Sequence, residues 1–345
     1  MSLTTNQPVT DLRVAARPDA APTLTANAAT TTPPVLAIVV PCYNEELVVA
    51  ETVRRLRELL TTLSAAGKID QTSFLYLVDD GSRDATWEKI ARLHQEDQRV
   101  KGLKLARNVG TQNALLAGLL GVKERVDCAV SIDADLQQDE HVIEIFLERF
   151  KAGAQVVYGV RRDRATDSLL KRGTSTFFYR LMNLLGVKII ANHSEYRLAS
   201  RKALEAIAEY REYNLFLRGI FVDIGYPSEI VPFAVRRRGA GTTKHTFGKL
   251  MALALDGITS FSAAPLRLVT AAGALIFLFS GVMTLFYLYQ KLRGYTPPGW
   301  AGTIIPIYFL GGVQIMFMGL IGEYVGRIYK EVKARPRYLK DTELF

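Results

Sequence analysis

Short apolar runs alternate with longer amphipathic ones from Val35 to about residue 132, and the alternation predicts a series of elements. Val35 to Val40, Phe74 to Val78, Val100 to Leu105 and Cys128 to Ile132 read as strands. The intervals Glu46 to Ala65, Ala85 to Glu96 and Gln112 to Val122 read as helices. Strand and helix taking turns in this way imply an α/β domain, a mostly parallel sheet with helices on both faces.

Nearer the C-terminus the pattern changes scale. No charged residue occurs from Leu268 to Tyr289, and from Ile304 to Val325 the only one is Glu323. Each run exceeds the roughly 20 residues that cross a hydrocarbon core as a helix, which predicts a two-helix transmembrane hairpin over 264–329. Just before it, Phe247, Leu250, Met251, Ala254, Ile258 and Phe261 recur at helical spacing, so 244–263 reads as an amphipathic helix. It lies either on the membrane surface or against the soluble domain. Residues 1–33, rich in Ala, Thr and Pro, read as a disordered extension without a signal peptide's apolar core. The α/β domain then occupies 34–243 and a basic tail 330–345.

Charge sharpens the topology. The chain of 345 residues is 49% hydrophobic and carries a formal charge of +9. Arg236, Arg237, Arg238, Lys244, Lys249 and Arg267 precede the first span, and Arg327, Lys330, Lys333, Arg335, Arg337 and Lys340 follow the second. Between them only Lys291 and Arg293 precede a Tyr295–Gly302 loop containing Pro297, Pro298 and Trp300. By the positive-inside rule both ends face the cytoplasm, and the net charge finds its explanation in topology and anionic lipid, with no sign of nucleic acid. Cys42 and Cys128, in apolar strand contexts, read as free core thiols.

Candidate chemistry gathers where the strands end. In a parallel sheet ligands bind beyond the carboxyl ends of the strands, which sets Pro41-Cys-Tyr43-Asn44-Glu45, Val78-Asp79-Asp80-Gly81-Ser82, Arg107-Asn108-Val-Gly110 and Asp133-Ala134-Asp135-Leu-Gln137 on one rim. Asp133 and Asp135, one residue apart on an extended backbone, would present carboxylates to the same face. Such a pair suits Mg²⁺ or Mn²⁺ shared with a substrate phosphate; two solvated acids at a surface turn are the competing reading.

In combination these motifs, together with Arg238-Gly-Ala-Gly-Thr-Thr-Lys244 and the hairpin, resemble the polyisoprenyl-phosphate glycosyltransferases of the GT-A class, glycosyltransferase family 2, over residues 35–335. The resemblance implies a Rossmann-like GT-A catalytic domain that moves a hexose, glucose favoured, from a nucleotide sugar, UDP-sugar favoured, to undecaprenyl or a related polyisoprenyl phosphate, with inversion. It implies nucleotide contacts at Pro41, Tyr43, Glu45, Val78, Asp80 and Ala134, and a metal and diphosphate site at Asp133, Asp135 and Gln137. Arg238 and Lys244 would stabilise the leaving diphosphate, and Arg161, Arg172 and Ser175 would receive the acceptor phosphate. The chain departs from the family pattern at Gln138-Asp139, Asn192 and His245. Localisation would be the bacterial plasma membrane, with the catalytic domain on its cytoplasmic face.

The small-residue spacing of Gly319, Gly322 and Gly326 would let another helix approach, and the resemblance implies a homo-oligomer. A processive polysaccharide synthase is the rival enzyme, but neither Trp87 nor Trp300 follows an Arg and two spans enclose no channel. A nucleotide-binding membrane scaffold without turnover is the rival outside enzymology; retention of Asp133, Asp135, Arg238 and Lys244 argues against it.

Overall fold

A computed structural model describes residues 32–161, 193–213, 216–234, 264–293 and 301–345. Strands β1 (Leu36–Cys42), β2 (Phe74–Asp79), β3 (Val100–Leu105) and β4 (Cys128–Ser131) are separated by helices α1 (Val49–Ala65), α2 (Thr86–Glu96) and α3 (Thr111–Val122). After α4 (Val142–Lys151) come β5 (Val156–Arg161), β6 (His193–Ser200), α5 (Arg201–Ala208), α6 (Leu217–Asp223) and β7 (Ser228–Phe233). The long helices α7 (Ala264–Leu292) and α8 (Ala301–Val332) follow, and β8 (Lys340–Leu344) ends the order.

The strands form one eight-stranded sheet in the order β7-β5-β6-β4-β1-β2-β3-β8. The neighbours β4–β1, β1–β2, β2–β3 and β5–β7 are parallel, whereas β6 runs antiparallel to β4 and β5, and β8 antiparallel to β3. The α/β, GT-A-like and mostly parallel architecture is therefore present. Because side chains alternate across a strand, β1 feeds two cores. Leu36, Ile38 and Val40 join one with Val53, Leu56 and Leu60 of α1 and Ile143 and Phe146 of α4. Ala37 and Val39 join the other with Leu115 of α3, Leu204 of α5 and Ile220 of α6. Burial on both faces is why β1 is apolar throughout instead of alternating. Helix α3 lies close on the sheet through Gly118, where a Cβ would stand 2.5 Å from Val39 Cγ1 and 2.7 Å from Val78 Cγ2. Cys42 and Cys128 are free and buried, and burial pushes both thiols up.

The expected basic tail has structure. Residues Lys340–Leu344 pair with the edge strand β3. The Tyr76 hydroxyl donates to Glu343 at 2.7 Å, and Phe345 packs on Phe74 and Tyr76 with ring centroids 5.6 and 5.5 Å away. An otherwise open sheet edge is covered in this way. Further up the chain, the end of α8 and the segment after it dock on the α/β domain: Glu331 accepts from the Tyr213 backbone N–H at 2.8 Å, and Arg337 donates to the Tyr210 carbonyl at 2.7 Å.

Helices α7 and α8 are 29 and 32 residues long and expose Leu275, Leu278, Phe279, Val282, Ile315, Met316 and Met318. Among the described residues no helix is long and apolar enough to cross a membrane; side chains within both, Phe277 and Leu288 among them, lie outside the described residues. The expected extension up to residue 31, the amphipathic helix 244–263 and residues 294–300 of the connecting loop lie outside them as well. A Cβ at Gly319, Gly322 or Gly326 would meet nothing within 4 Å among the described residues.

Candidate functional site

The parallel strands β4, β1, β2 and β3 end on one rim, and their loops are laced together by polar contacts. Asn44 takes a left-handed φ of 54° that suits Asn better than most residues. Its N–H donates to Ser82 Oγ at 3.0 Å, and its Oδ1 accepts the Arg83 N–H at 2.9 Å. One step on, the Glu45 N–H donates to Thr86 Oγ1 at 2.9 Å. Tyr43 and Glu45 are half-buried at this junction, as is Pro41 on β1.

Asp80, expected to contact the nucleotide, ties two loops of the rim together. Its carboxylate accepts the Val109 N–H at 2.7 Å and the Gly110 N–H at 3.0 Å, tying the end of β2 to the entry of α3. Burial pushes its pKa up, against the pull of those two amides. Gly81 makes this approach feasible: at φ +64°, a Cβ there would stand 2.6 Å from the Arg107 carbonyl carbon. Asp79 is fully buried, with Oδ1 accepting the Ser82 N–H at 3.3 Å and Oδ2 unpartnered among the described residues. The Val78 side chain is buried beneath α3.

The acidic loop departs from the sequence argument in one respect. Strand β4 ends at Ser131, so Asp133 and Asp135 lie in a turn and not on extended backbone. The turn closes with the Leu136 N–H on the Asp133 carbonyl at 3.2 Å, and Leu136 holds φ 45°. A left-handed leucine costs about 1–2 kcal/mol, sustained here by its burial in the core. The loop is pinned from both sides: Thr52 Oγ1 of α1 donates to the Ala134 carbonyl at 2.6 Å, and the Tyr196 hydroxyl of β6 donates to the Asp139 carbonyl at 2.9 Å. Arg55 forms an ion pair with buried Glu140.

Within this turn the Gln138 amide donates to Asp133 Oδ2, while its Oε1 accepts the Asp133 N–H at 3.3 Å. Asp135 Oδ1 accepts the Gln137 N–H at 3.1 Å. Burial pushes Asp133 above the usual carboxylate range; the Gln138 hydrogen bond opposes it, Asp135 and Glu195 add to it, and Arg161 opposes it. The charges of Asp133, Asp135, Glu195 and Arg161 therefore meet in one region. Among the described residues no group of three or more His, Cys, Asp or Glu gathers as a ligand set. Mg²⁺ is commonly held by one or two carboxylates with water and substrate oxygens, and the hard oxygens of Asp133 and Asp135 fit that demand.

The comparisons with known proteins bear on this rim. The family model described as "Glycosyl transferase family 2" matches residues 37–208, and a glycosyltransferase of Bacillus subtilis strain 168, the uncharacterized YkoT, is 50% identical over 312 residues, covering 90% of this chain and 93% of its own. The chain belongs to glycosyltransferase family 2. It is a transferase enzyme. The bactoprenol glucosyl transferase of Shigella phage SfX is 39% identical over 309 residues, covering 88% of this chain and 98% of its own. The prophage bactoprenol glucosyl transferase homolog of Escherichia coli K12 is 38% identical over 312 residues, covering 88% and 97%. Among solved structures, glucosyl-3-phosphoglycerate synthase from Mycobacterium tuberculosis with Mn²⁺, UDP-glucose and phosphoglyceric acid is 18% identical, covering 66% of this chain and 78% of its own at a TM-score of 0.44. So distant a likeness carries no chemistry.

For this family-2 glycosyltransferase the expected site residues divide. Pro41, Tyr43, Glu45, Asp80, Ala134, Asp133, Asp135 and Gln137 all fall on the rim, and Arg161, exposed at the end of β5, lies within electrostatic reach of Asp133. Arg172, Ser175, Arg238 and Lys244 lie outside the described residues, as do Asn192 and His245. Sequence reasoning missed Gln138 as the side chain that grips Asp133, although its departure from the family pattern marked the position. It also missed Glu195, Arg197 and Arg218. The available signal was a pair of opposite charges two apart, on one face of the strand His193–Ser200.

Proposed function

We propose that this family-2 glycosyltransferase is membrane-bound and moves a hexose, glucose favoured, from a UDP-sugar to undecaprenyl or a related polyisoprenyl phosphate, inverting the anomeric carbon. The observation that carries this reading is the pinned acidic turn at Asp133 and Asp135, in a chain alike over 88% of its length to a bactoprenol glucosyl transferase. Asp133 and Asp135, with Gln137 beside them, would hold Mg²⁺ or Mn²⁺, which supplies neutralisation of the diphosphate charge when bound.

The residues of the chain account for the remaining demands. The Tyr43–Glu45 loop and the end of β2 form the cleft for the nucleoside, with the Val78 backbone and the Asp80 loop as its floor. Arg238 and Lys244 stabilise the diphosphate as the bond to C1 breaks. A phosphate monoester has its second pKa near about 6, so at neutral pH its attacking oxygen is already largely anionic and no strong general base is required. The protein instead has to hold two polyanions together, for which Arg161, Arg172 and Ser175 are the acceptor-side groups. The oxygen of the lipid phosphate forms the new bond to C1 as the nucleoside diphosphate leaves, and no proton has to be removed first.

The apolar runs of α7 and α8, flanked by cations at their outer ends, support a two-span anchor with both ends in the cytoplasm, where nucleotide sugars are found. Incubating membranes that contain the protein with undecaprenyl phosphate and a panel of radiolabelled nucleotide sugars tests the activity. Labelled glucosyl lipid from UDP-glucose is the expected product; label that appears only in long polysaccharide favours a processive synthase. For topology, a cysteine near Pro298 should react with an impermeant thiol reagent from outside, whereas one near Lys340 should react only after the membrane is opened.

A further inference from the structure

The antiparallel part of the sheet buries a charge that the reading above does not use. Arg197 lies in β6, in register with Ser131 of β4 and Tyr158 of β5, and is 1% exposed. One guanidinium nitrogen donates to Glu195, and among the described residues Nε and Nη1 meet no acceptor. The ring of Phe221 covers the guanidinium at 4.4 Å. Burial lowers its pKa, which is the mark of a charge held against solvation. Buried ion clusters are poor sources of stability beside packed apolar side chains of the same volume, so this one calls for a role other than holding the core.

Glu195 carries the cluster outward. Arg218, near the start of α6, donates from Nε to Glu195 Oε1 at 2.8 Å and keeps 34% of its side chain accessible. Arg197, Glu195 and Arg218 thus form a continuous ion chain from the core to the surface. It surfaces beside the acidic turn: the Ser131 hydroxyl at the end of β4 donates to the Glu195 carbonyl, and the Glu195 charge is felt by Asp133. An arginine anchored through Nε is held in a fixed plane, the condition for bidentate recognition of a phosphate.

We propose that Arg218 is a further binding residue for the acceptor phosphate, set in place by Glu195 and, through it, by Arg197 as positioning residues. This assignment rests on the acceptor reading given for Arg161. The test uses the full chain in lipid nanodiscs with undecaprenyl phosphate and UDP-glucose, measuring UDP affinity without acceptor, transfer against lipid-phosphate concentration, and the melting midpoint. In Arg218→Gln, KM for the lipid phosphate should rise about tenfold or more, the scale of a lost charge-assisted hydrogen bond, while UDP affinity stays within about twofold. Arg218→Lys, which keeps the charge but loses the fork, should fall between. The double variant Glu195→Leu with Arg197→Met should melt no lower than the parent yet show the same rise in KM, because Arg218 is then charged but unplaced.

Equal loss of UDP affinity in Arg218→Gln would move the residue to the donor side and overturn the proposal. An unchanged KM in Arg218→Gln alongside an impaired Arg161→Ala would overturn the role of Arg218 and leave the acceptor reading standing. Equally efficient transfer by the parent to polyprenol without phosphate would overturn the acceptor reading itself.

Discussion

At the ends of the parallel strands Asp80 and Asp135 are met by backbone amides, whereas Glu195 on β6 is met by guanidinium groups. Asp80 accepts the Val109 and Gly110 N–H groups, and Asp135 accepts that of Gln137. Glu195 instead pairs with Arg197 and Arg218. A carboxylate held by amides fixes the path of a loop, because the donors belong to the main chain. One held by arginines fixes side chains and leaves the neighbouring backbone free to vary. On the proposed reading the donor side would be a shaped surface and the acceptor side a placed set of charges, as would suit a nucleotide of fixed form and an anionic head group on a lipid.

The largest effect should come from the acidic turn. Asp135→Asn is expected to lower turnover on the order of a thousandfold, since a bound divalent ion supplies several kcal/mol and each 1.4 kcal/mol is tenfold, while the melting midpoint stays near the parent's. Activity undiminished both in that variant and in EDTA would remove the metal from the site.

Next, Asp80→Ala leaves the Val109 and Gly110 N–H groups without their acceptor and should cost about 2 kcal/mol or more of stability. Asp80→Asn, which keeps one acceptor oxygen, should cost less. Equal melting curves for the two variants would show that the amide-held carboxylate does not shape the loop, and the contrast with β6 would fail. On the other side, Arg161→Ala should lower transfer about tenfold at limiting lipid phosphate and leave UDP affinity nearly unchanged, with no loss of fold because the residue is exposed.

The smallest effect concerns pH and the sheet edge. Partial burial pushes Glu343 up, but hydrogen bonds from Tyr76 and Lys340, aided by the charges of Lys340 and Arg125, outweigh it and hold the carboxyl below the usual range. A lowered folded pKa contributes stability that is present above the unfolded value and lost as pH falls through the folded one. Hydrogen-exchange protection of the β8 amides should therefore weaken below about pH 4.5, the ordinary glutamate range, and the loss should be absent in Glu343→Gln. Protection that strengthens on acidification would contradict this coupling.

Much of the α/β domain was legible because its signal is local. The strands at Leu36, Phe74, Val100 and Cys128 and the helices between them fall within a few residues of their expected positions, since apolar run length and helical spacing are properties of contiguous residues. The rim was legible for the same reason: parallel pairing forces successive strand ends to one side. The tail was not. Residues 340–344 fell within the expected basic tail, and only the presence of an unpaired β3 edge makes a strand of them. Gln138 was equally obscure, because its grip on Asp133 depends on a turn with Leu136 in a left-handed conformation that no propensity favours.

The sequence by itself determined the order of elements, the two-faced burial of the parallel strands, the rim on which Asn44, Asp80 and Asp133 lie, and membership of a glycosyltransferase family through motifs in a fixed order. Tertiary structure decided which carboxylates are bound by main chain and which by arginine, since the partners of Asp80 lie 29 and 30 positions away and those of Glu195 two and 23. It also decided that Arg197 is buried with its charge, a residue that reads as surface in any one-dimensional pattern. The physical reason is common to both: hydrophobic periodicity is encoded along the chain, whereas desolvation and charge pairing depend on what the fold brings within a few ångströms.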